Sequence, residues 1–300
     1  MPIRLDPDLL PGLLTAIQQS EQNMNTATQQ LSTGLSVNEP SDNPAAVAAL
    51  IGNHNQAGQD DQYLQNISTL QGRLQVSDST LSQVVTALTQ ALSVGTEGAN
   101  GTLSAADRQA VAAQVQGLTS QLLSLANTNY QGTYLFSGTA VNTQPFTLNT
   151  ATNGVTYNGN TGTTSVQISN GSSINTSLPG SQLFTNAAGS AFGALQDLYS
   201  SLVSGNNIGT AVNEVSSAIS QVGVQRVFYG NALNQINSTE NFLNQDTINL
   251  SSQANALVGV NPATAATNLS QAQVANQAVI SATGRILSLP TLLDFLQPLP

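Results

Sequence analysis

The 300-residue chain contains no cysteine, no tryptophan and no lysine, and it has a single histidine, His54. The absence of cysteine excludes disulfides, thiolate catalysis and zinc ribbons, and the absence of lysine excludes Schiff-base chemistry. Charged residues make up only 7% of the chain, against about 25% in an average globular protein. The five cations are scattered arginines and the net charge is −10. We therefore expect no nucleic-acid binding, which needs clustered cations.

Long hydrophobic runs are also missing. No stretch approaches the ~18 consecutive apolar residues of a membrane-spanning helix, so we expect no membrane insertion. Pro2, Pro7 and Pro11 interrupt the N-terminal apolar residues, and no small-residue cleavage site follows, which argues against a cleavable secretory signal. These features fit a cytoplasmic protein or one exported by an unconventional route.

Apolar residues recur every seven positions in both ends of the chain. This period predicts long helices that pack along a seam, as in coiled coils and bundles. A helix over residues 215–257 would be roughly 60–65 Å long at ~1.5 Å per residue, which predicts an elongated molecule. The rows are Leu10, Ile17, Met24, Leu31; Ile67, Leu74, Leu81, Leu88; Val111, Leu118, Leu125, with Val115 and Leu122 as a second row; Val215, Val222, Tyr229, Ile236, Leu243, Leu250, Leu257; and Ala272, Val279, Ile286, Leu293, with Ala275, Ala282 and Leu289 as a second row.

Residues that start or end helices lie between these rows. Gly34 stands where the first helix should end, because glycine tolerates the left-handed conformation of a helix C-terminus. The segment that follows contains Pro40 and Pro44, and a residue before proline is pushed towards extended backbone. We expect later helices to start at the polar N-caps Asn43, Ser104 and Asn261.

Between about residues 133 and 185 the pattern changes to alternation. Apolar residues alternate in segments 134–136, 155–157 and 166–168, and Asn-Gly and Thr-Gly pairs typical of turns separate them. The glycines of segment 158–162 could suggest a phosphate-binding loop, but the strand-to-helix context and a lysine are missing. We predict a hairpin turn there instead, and another at Asn170-Gly171.

The predicted fold is mainly α: an elongated rod of long antiparallel helices, as coiled coil or bundle, with a small inserted β domain. We divide it into three parts. A terminal coiled coil comprises residues 1–40 with 260–300, a helical rod comprises 41–139 with 187–259, and the β domain comprises 140–186.

The sequence offers few residues for a catalytic or metal-binding site. His54 could be a metal ligand or a general base, but Leu50 and Gly58 occupy the positions one helical turn away. Asp60 and Asp61 could supply half of a carboxylate pair for glycoside hydrolysis. Adjacent residues on a helix face different directions, however, so we interpret both as part of a solvated face. We expect no enzyme, no cofactor and no metal site.

The two end segments, 9–31 and 263–293, are each separated from the bundle by a helix break. A helix pair alone buries little area against the entropy of ordering it. We therefore expect the ends to be frayed in the monomer and to fold against neighbouring molecules. The predicted assembly interface is Leu10, Ile17, Met24, Leu31, Ala272, Val279, Ile286 and Leu293, and the predicted joint to the rod is Asn38, Pro40, Ser41, Asp42, Asn43 and Pro44.

Several motifs resemble the flagellin family of bacterial flagellins and hook-associated proteins. Segment 31–46, LSTGLSVNEPSDNPAA, is similar to the family's N-terminal signature, and its Pro-Ser-Asp-Asn-Pro form is closer to hook-associated proteins. Segments 102–108, 122–127 and 132–138 continue the resemblance. Residues 157–184 are similar to the small β domain of hook-associated proteins, and residues 268–296 to the flagellin-type C-terminal helix.

The resemblance implies a junction adapter of the bacterial flagellum, placed between the first hook-associated protein and the flagellin filament. It also implies partners: copies of this chain, the first hook-associated protein, flagellin, and a flagellar export chaperone and export apparatus. Export would follow the flagellar type III pathway, to an extracellular position at the hook–filament junction. The alternatives are a short filament flagellin, and a secreted adhesin or glycan-binding module that uses the β insert.

Overall fold

The computed structural model describes residues 9–149, 154–185 and 189–287. Within these ranges the chain is mainly helical, with a small β insertion, so the predicted fold class is confirmed. The elements are α1 (Leu9–Thr33), α2 (Pro44–Gly98), α3 (Ala105–Ala126), β1 (Asn129–Tyr130), β2 (Thr133–Tyr134), β3 (Phe146–Asn149), β4 (Gly154–Tyr157), β5 (Ser165–Ser169), β6 (Ser172–Asn175), α4 (Gly180–Phe184), α5 (Ala191–Ser204), α6 (Ile208–Val258) and α7 (Pro262–Leu287).

The helix boundaries predicted from capping residues are confirmed. Gly34 follows α1 with φ of +73°, the left-handed backbone that favours glycine. The amide oxygen of Asn43 accepts the N–H of Ala46 at 3.0 Å, which satisfies one of the free donors at the start of α2. Ser104 forms the predicted capping box of α3, and Asn261 caps α7 through its side-chain oxygen.

The chain divides into two compact units. The terminal unit combines Met1–Ala57 with Thr247–Pro300, and the central unit is Gly58–Asp246. Helices α2 and α6 are long enough to contribute to both, at 55 and 51 residues. The terminal unit thus contains both described end helices, and the central unit contains the β insertion.

The heptad rows build the core of the central unit, as the sequence predicts. These side chains are at most 6% exposed, and they come from α2, α3 and α6. Helix α5 adds Leu195, Leu198 and Leu202 to the same cluster. The buried members of the rows are Ile67, Leu74, Leu81, Leu88; Val111, Val115, Leu122; and Val215, Val222, Tyr229, Ile236, Leu243, whereas Leu118 and Leu125 of α3 are half-buried.

Helices α2 and α6 run antiparallel through the central unit. The guanidinium of Arg226 on α6 donates to the carboxylate of Asp78 on α2, with an Nε–Oδ1 distance of 3.0 Å. Nearer the start of α2, the amide of Gln71 donates to Asn237 at 3.2 Å. Residue numbers rise along α2 while those of the partners fall along α6, which confirms the predicted antiparallel pairing.

In the described part of the β insertion the strands form three separate two-stranded antiparallel pairs: β1–β2, β3–β4 and β5–β6. The hairpin turn predicted at Asn170-Gly171 is confirmed, and Gly171 has φ of +75°. The hairpin turn predicted at 158–162 is wrong, because β4 pairs with the preceding strand rather than with β5. Asn160 in this link instead holds Thr139 through two side-chain hydrogen bonds of 2.8 and 2.7 Å.

Tyr229 connects the helices to the segment after β6. Its side chain is fully buried, and its hydroxyl accepts the N–H of Leu178 at 3.3 Å. Burial raises the pKa of Tyr229 to about 12, because a phenolate would be poorly solvated there. The phenol therefore stays neutral, and this anchor is insensitive to pH through the neutral range.

Candidate assembly interface

In the terminal unit, α1 and α7 pack against each other. Among the side chains that the structure describes, those that this pair buries are small: Ser20 is 7% exposed, Ala27 is 5% exposed and Ala265 is fully buried. Small side chains remove little apolar surface from water, at roughly 25 cal/mol per Å². The hydroxyl of Ser20 is also buried without a hydrogen-bond partner, which costs free energy. The pair is therefore weakly stabilised by its own packing.

The predicted interface residues flank this seam. Ile17, Met24, Ala272 and Val279 are half-buried, whereas Leu31 is 40% exposed. The remaining three predicted positions cannot be compared in this way. The side chains of Leu10 and Ile286, and the whole of Leu293, lie outside the described residues.

Large apolar side chains also face away from the seam. Leu14 on α1 is 62% exposed, and Val274 and Ile280 on α7 are 65% and 56% exposed. They were not predicted, because Val274 and Ile280 lie outside both heptad rows of the last helix and Leu14 lies outside the first row. Apolar residues outside the heptad rows of a helix are the sequence signal for a second contact face. Where exposed apolar side chains form a contiguous patch, the patch marks a protein–protein interaction site.

The predicted joint forms a hydrogen-bonded loop between α1 and α2. One carboxylate oxygen of Asp42 accepts the N–H groups of Asn38 and Glu39, each at 2.9 Å. Together these two donors hold the pKa of Asp42 below its usual value of 3.8, and the bond from Glu39 has the larger effect. The folded state favours the ionised carboxylate of Asp42. This carboxylate therefore stabilises the folded state fully when the pH is above 3.8, and the stabilisation is lost as the pH falls below that value.

The other candidate residues do not form a site. His54 and Asp61 are exposed on α2. Asp60 is 1% exposed, so the interpretation of both carboxylates as a solvated face is wrong for Asp60, although the two neighbours do face different directions. In the described ranges, no three histidine or acidic side chains are grouped closely enough to hold a metal ion. None of the helices in those ranges has the length and apolar character needed to cross a membrane.

Comparisons with known proteins give consistent results. The profile of the bacterial flagellin N-terminal helical region matches residues 12–140, and that of the C-terminal helical region matches residues 206–296. The chain is 36% identical over 134 residues to flagellar hook-associated protein 3 of Escherichia coli K12, which covers 44% of this chain and 42% of the relative. It is 31% identical over 179 residues to flagellar hook-associated protein 3 of Salmonella typhimurium LT2, covering 59% of this chain and 55% of the relative.

The matched segments thus span about half the length of these two relatives. The fold is similar to that of the flagellar junction protein FlgL from Legionella pneumophila, with a TM-score of 0.61 and 16% identity. That comparison covers 70% of this chain and 100% of the solved one. At this level of identity the likeness concerns the fold alone.

Proposed function

The chain belongs to the bacterial flagellin family, and from this premise we propose that it is a structural junction protein of the flagellum. In this role it joins the first hook-associated protein to the flagellin filament. The matches to two hook-associated proteins support a junction role over that of a filament subunit. The Pro-Ser-Asp-Asn-Pro segment at 40–44 supports the same choice.

The observation that carries this proposal is the unequal packing of the two units. The central unit has a core of large leucine, isoleucine and phenylalanine side chains, whereas the described side chains that the terminal pair buries are small, and Leu14, Val274 and Ile280 are exposed. A helix pair with this surface gains most of its stabilisation when further helices cover it. Assembly with copies of the same chain and with neighbouring family members supplies such helices.

The proposal assigns a role to each part of the sequence. Residues 1–40 with 260–300 line the inner tube as a coiled coil, in which the α1–α7 pair of the single chain gains further helix contacts on assembly. Residues 41–139 with 187–259 form the rod outside it, and residues 140–186 form the outer β domain. The loop from Asn38 to Pro44 acts as the joint, which fits the break in helical backbone and the hydrogen bonds that shape it.

Export completes the proposal. The chain would leave the cell unfolded through the flagellar type III pathway, guided by an export chaperone, and fold at the extracellular hook–filament junction. Its long helices suit folding after export, because helical contacts are local in sequence and therefore form fast. Proteins of this family act in a structure rather than in catalysis, and we assign no catalytic residue and no cofactor to this chain.

Counting copies tests a junction role against a filament role. Flagella are isolated with hooks attached, and half of the sample is sheared to shorten the filaments. Quantitative mass spectrometry then gives the amounts of this chain and of flagellin relative to hook protein. We expect the ratio of this chain to hook protein to stay constant while the flagellin ratio falls. A ratio that falls in parallel with flagellin would identify a filament subunit.

A further inference from the structure

An isolated antiparallel β-bridge ties the end of α1 to the start of α7. Leu35 pairs with Gly259, and the residues on either side take part, so we call residues 34–36 and 258–260 the clasp. Residues 34–36 follow directly on α1. Residues 258–260 begin at Val258, the last residue of α6, and end two residues before α7. Both helices of the terminal pair are therefore anchored at the same end.

Hydrogen bonds make the clasp geometrically specific. The N–H of Ser36 donates to the carbonyl of Val258 at 2.7 Å, and the N–H of Val260 donates to the carbonyl of Gly34 at 3.0 Å. The Ser36 hydroxyl adds a third donation, to the same Val258 carbonyl at 3.1 Å. A shift of one residue along either segment would break these bonds, because a hydrogen bond weakens steeply beyond its short distance range.

The seam between α1 and α7 is far less specific. Ser20 and Ala27, the side chains that α1 buries, lie one heptad apart and differ little in size. On α7 the buried Ala265 is followed at the same interval by Ala272 and Val279. A slide of one heptad would bring similar side chains together again. Large, fully buried knobs that would fix the register of a coiled coil are missing from the described seam, where Ile17 and Met24 are only half-buried.

We propose that the clasp sets the axial register of α1 against α7. A slip by one heptad would move the helices ~10 Å past each other, at ~1.5 Å per residue. Leu14 on α1 would then be displaced along the pair relative to Val274 and Ile280 on α7, the other two exposed apolar side chains. The consequence for assembly rests on the proposed function, whereas the register itself is a property of the free chain.

The absence of cysteine allows a direct test by distance measurement. Nitroxide labels are placed at Gln18→Cys and Asn268→Cys, two exposed positions offset along the pair. Double electron–electron resonance on the full chain then reports their separation. Ser36→Pro removes one of the two backbone donors of the clasp. The preceding residue, Leu35, is paired in the β-bridge and is therefore extended, the conformation that a residue before proline prefers. Ser36→Ala removes only the hydroxyl and is the matched control.

We expect one distance in the parent and in Ser36→Ala. In Ser36→Pro we expect a second population displaced by up to ~10 Å, the length of a heptad. Val260→Pro, which removes the other backbone donor, should give the same second population, so the result does not depend on one variant. An unchanged distance in both proline variants, or a broad distribution in the parent, would overturn the proposal. Because the free chain is measured, the result is independent of whether the protein forms a junction.

Discussion

Replacing Ile17 and Met24 together with aspartate is expected to stop incorporation into the flagellum and to reduce swimming to the level of a deletion strain. Both side chains lie on the side of α1 that carries the buried Ser20 and Ala27. Two carboxylates there would lose hydration without gaining a cation, since the basic residues are so few. The seam would open, and the apolar face on which neighbours pack would be lost.

The same variant should leave the central unit intact. Its core runs from Ile67 to Leu243 and contains neither substituted residue. We therefore expect an unchanged midpoint for its urea unfolding, followed by tyrosine fluorescence, because all six tyrosines of the chain lie in this unit. Gln22→Asp with Gln29→Asp is the matched control, because both positions are exposed on α1 and have the same seven-residue spacing. Normal filaments on the Ile17 and Met24 double variant would contradict a terminal interface.

Phe146→Ala is expected to lower the free energy of unfolding of the central unit by about 3–5 kcal/mol. The Phe146 side chain is fully buried, and its ring centroid lies 5.3 Å from that of Phe184, 5.2 Å from that of Phe192 and 5.0 Å from that of Tyr157. The ring thus joins β3 and β4 to α4 and α5. Its loss leaves a cavity that side chains from three directions cannot fill together.

Phe242→Ala provides the comparison for this prediction. Phe242 also belongs to the central unit, but it is 63% exposed on α6. Its truncation should change the free energy of unfolding by no more than about 0.5 kcal/mol, as for most exposed positions. Urea denaturation followed by circular dichroism measures both variants. A loss below about 1 kcal/mol for Phe146→Ala would show that the aromatic cluster does not hold the β insertion.

The long helices could be predicted because their local and global signals agree. Asn43, Ser104 and Asn261 place the helix starts, and the heptad rows of α2 and α6 are buried except at Leu257. The connection of the strands could not be predicted in the same way. An Asn-Gly pair marks a reversal at 170–171 but only a link at 158–159, because strand pairing depends on partners far away in the sequence.

At the terminal pair, the heptad row of α1 predicts a packed side of the helix but not the positions that are most buried. Helix α1 buries the small side chains of Ser20 and Ala27 most fully, while the larger Ile17 and Met24 beside them are half-buried. A search for apolar rows overlooks positions of this kind. The clasp was beyond prediction too, because Ser36 and Val258 are 222 residues apart and their bond involves main-chain atoms.

Immunogold electron microscopy of the native bacterium tests the junction role most directly. The antibody is raised against residues 133–186, which include most of the β insertion that the proposal places on the outside of the flagellum. The account predicts gold in a narrow band where the hook meets the filament, and no gold on a strain that lacks the gene. Gold along the whole filament would contradict the account and would make this chain a filament flagellin.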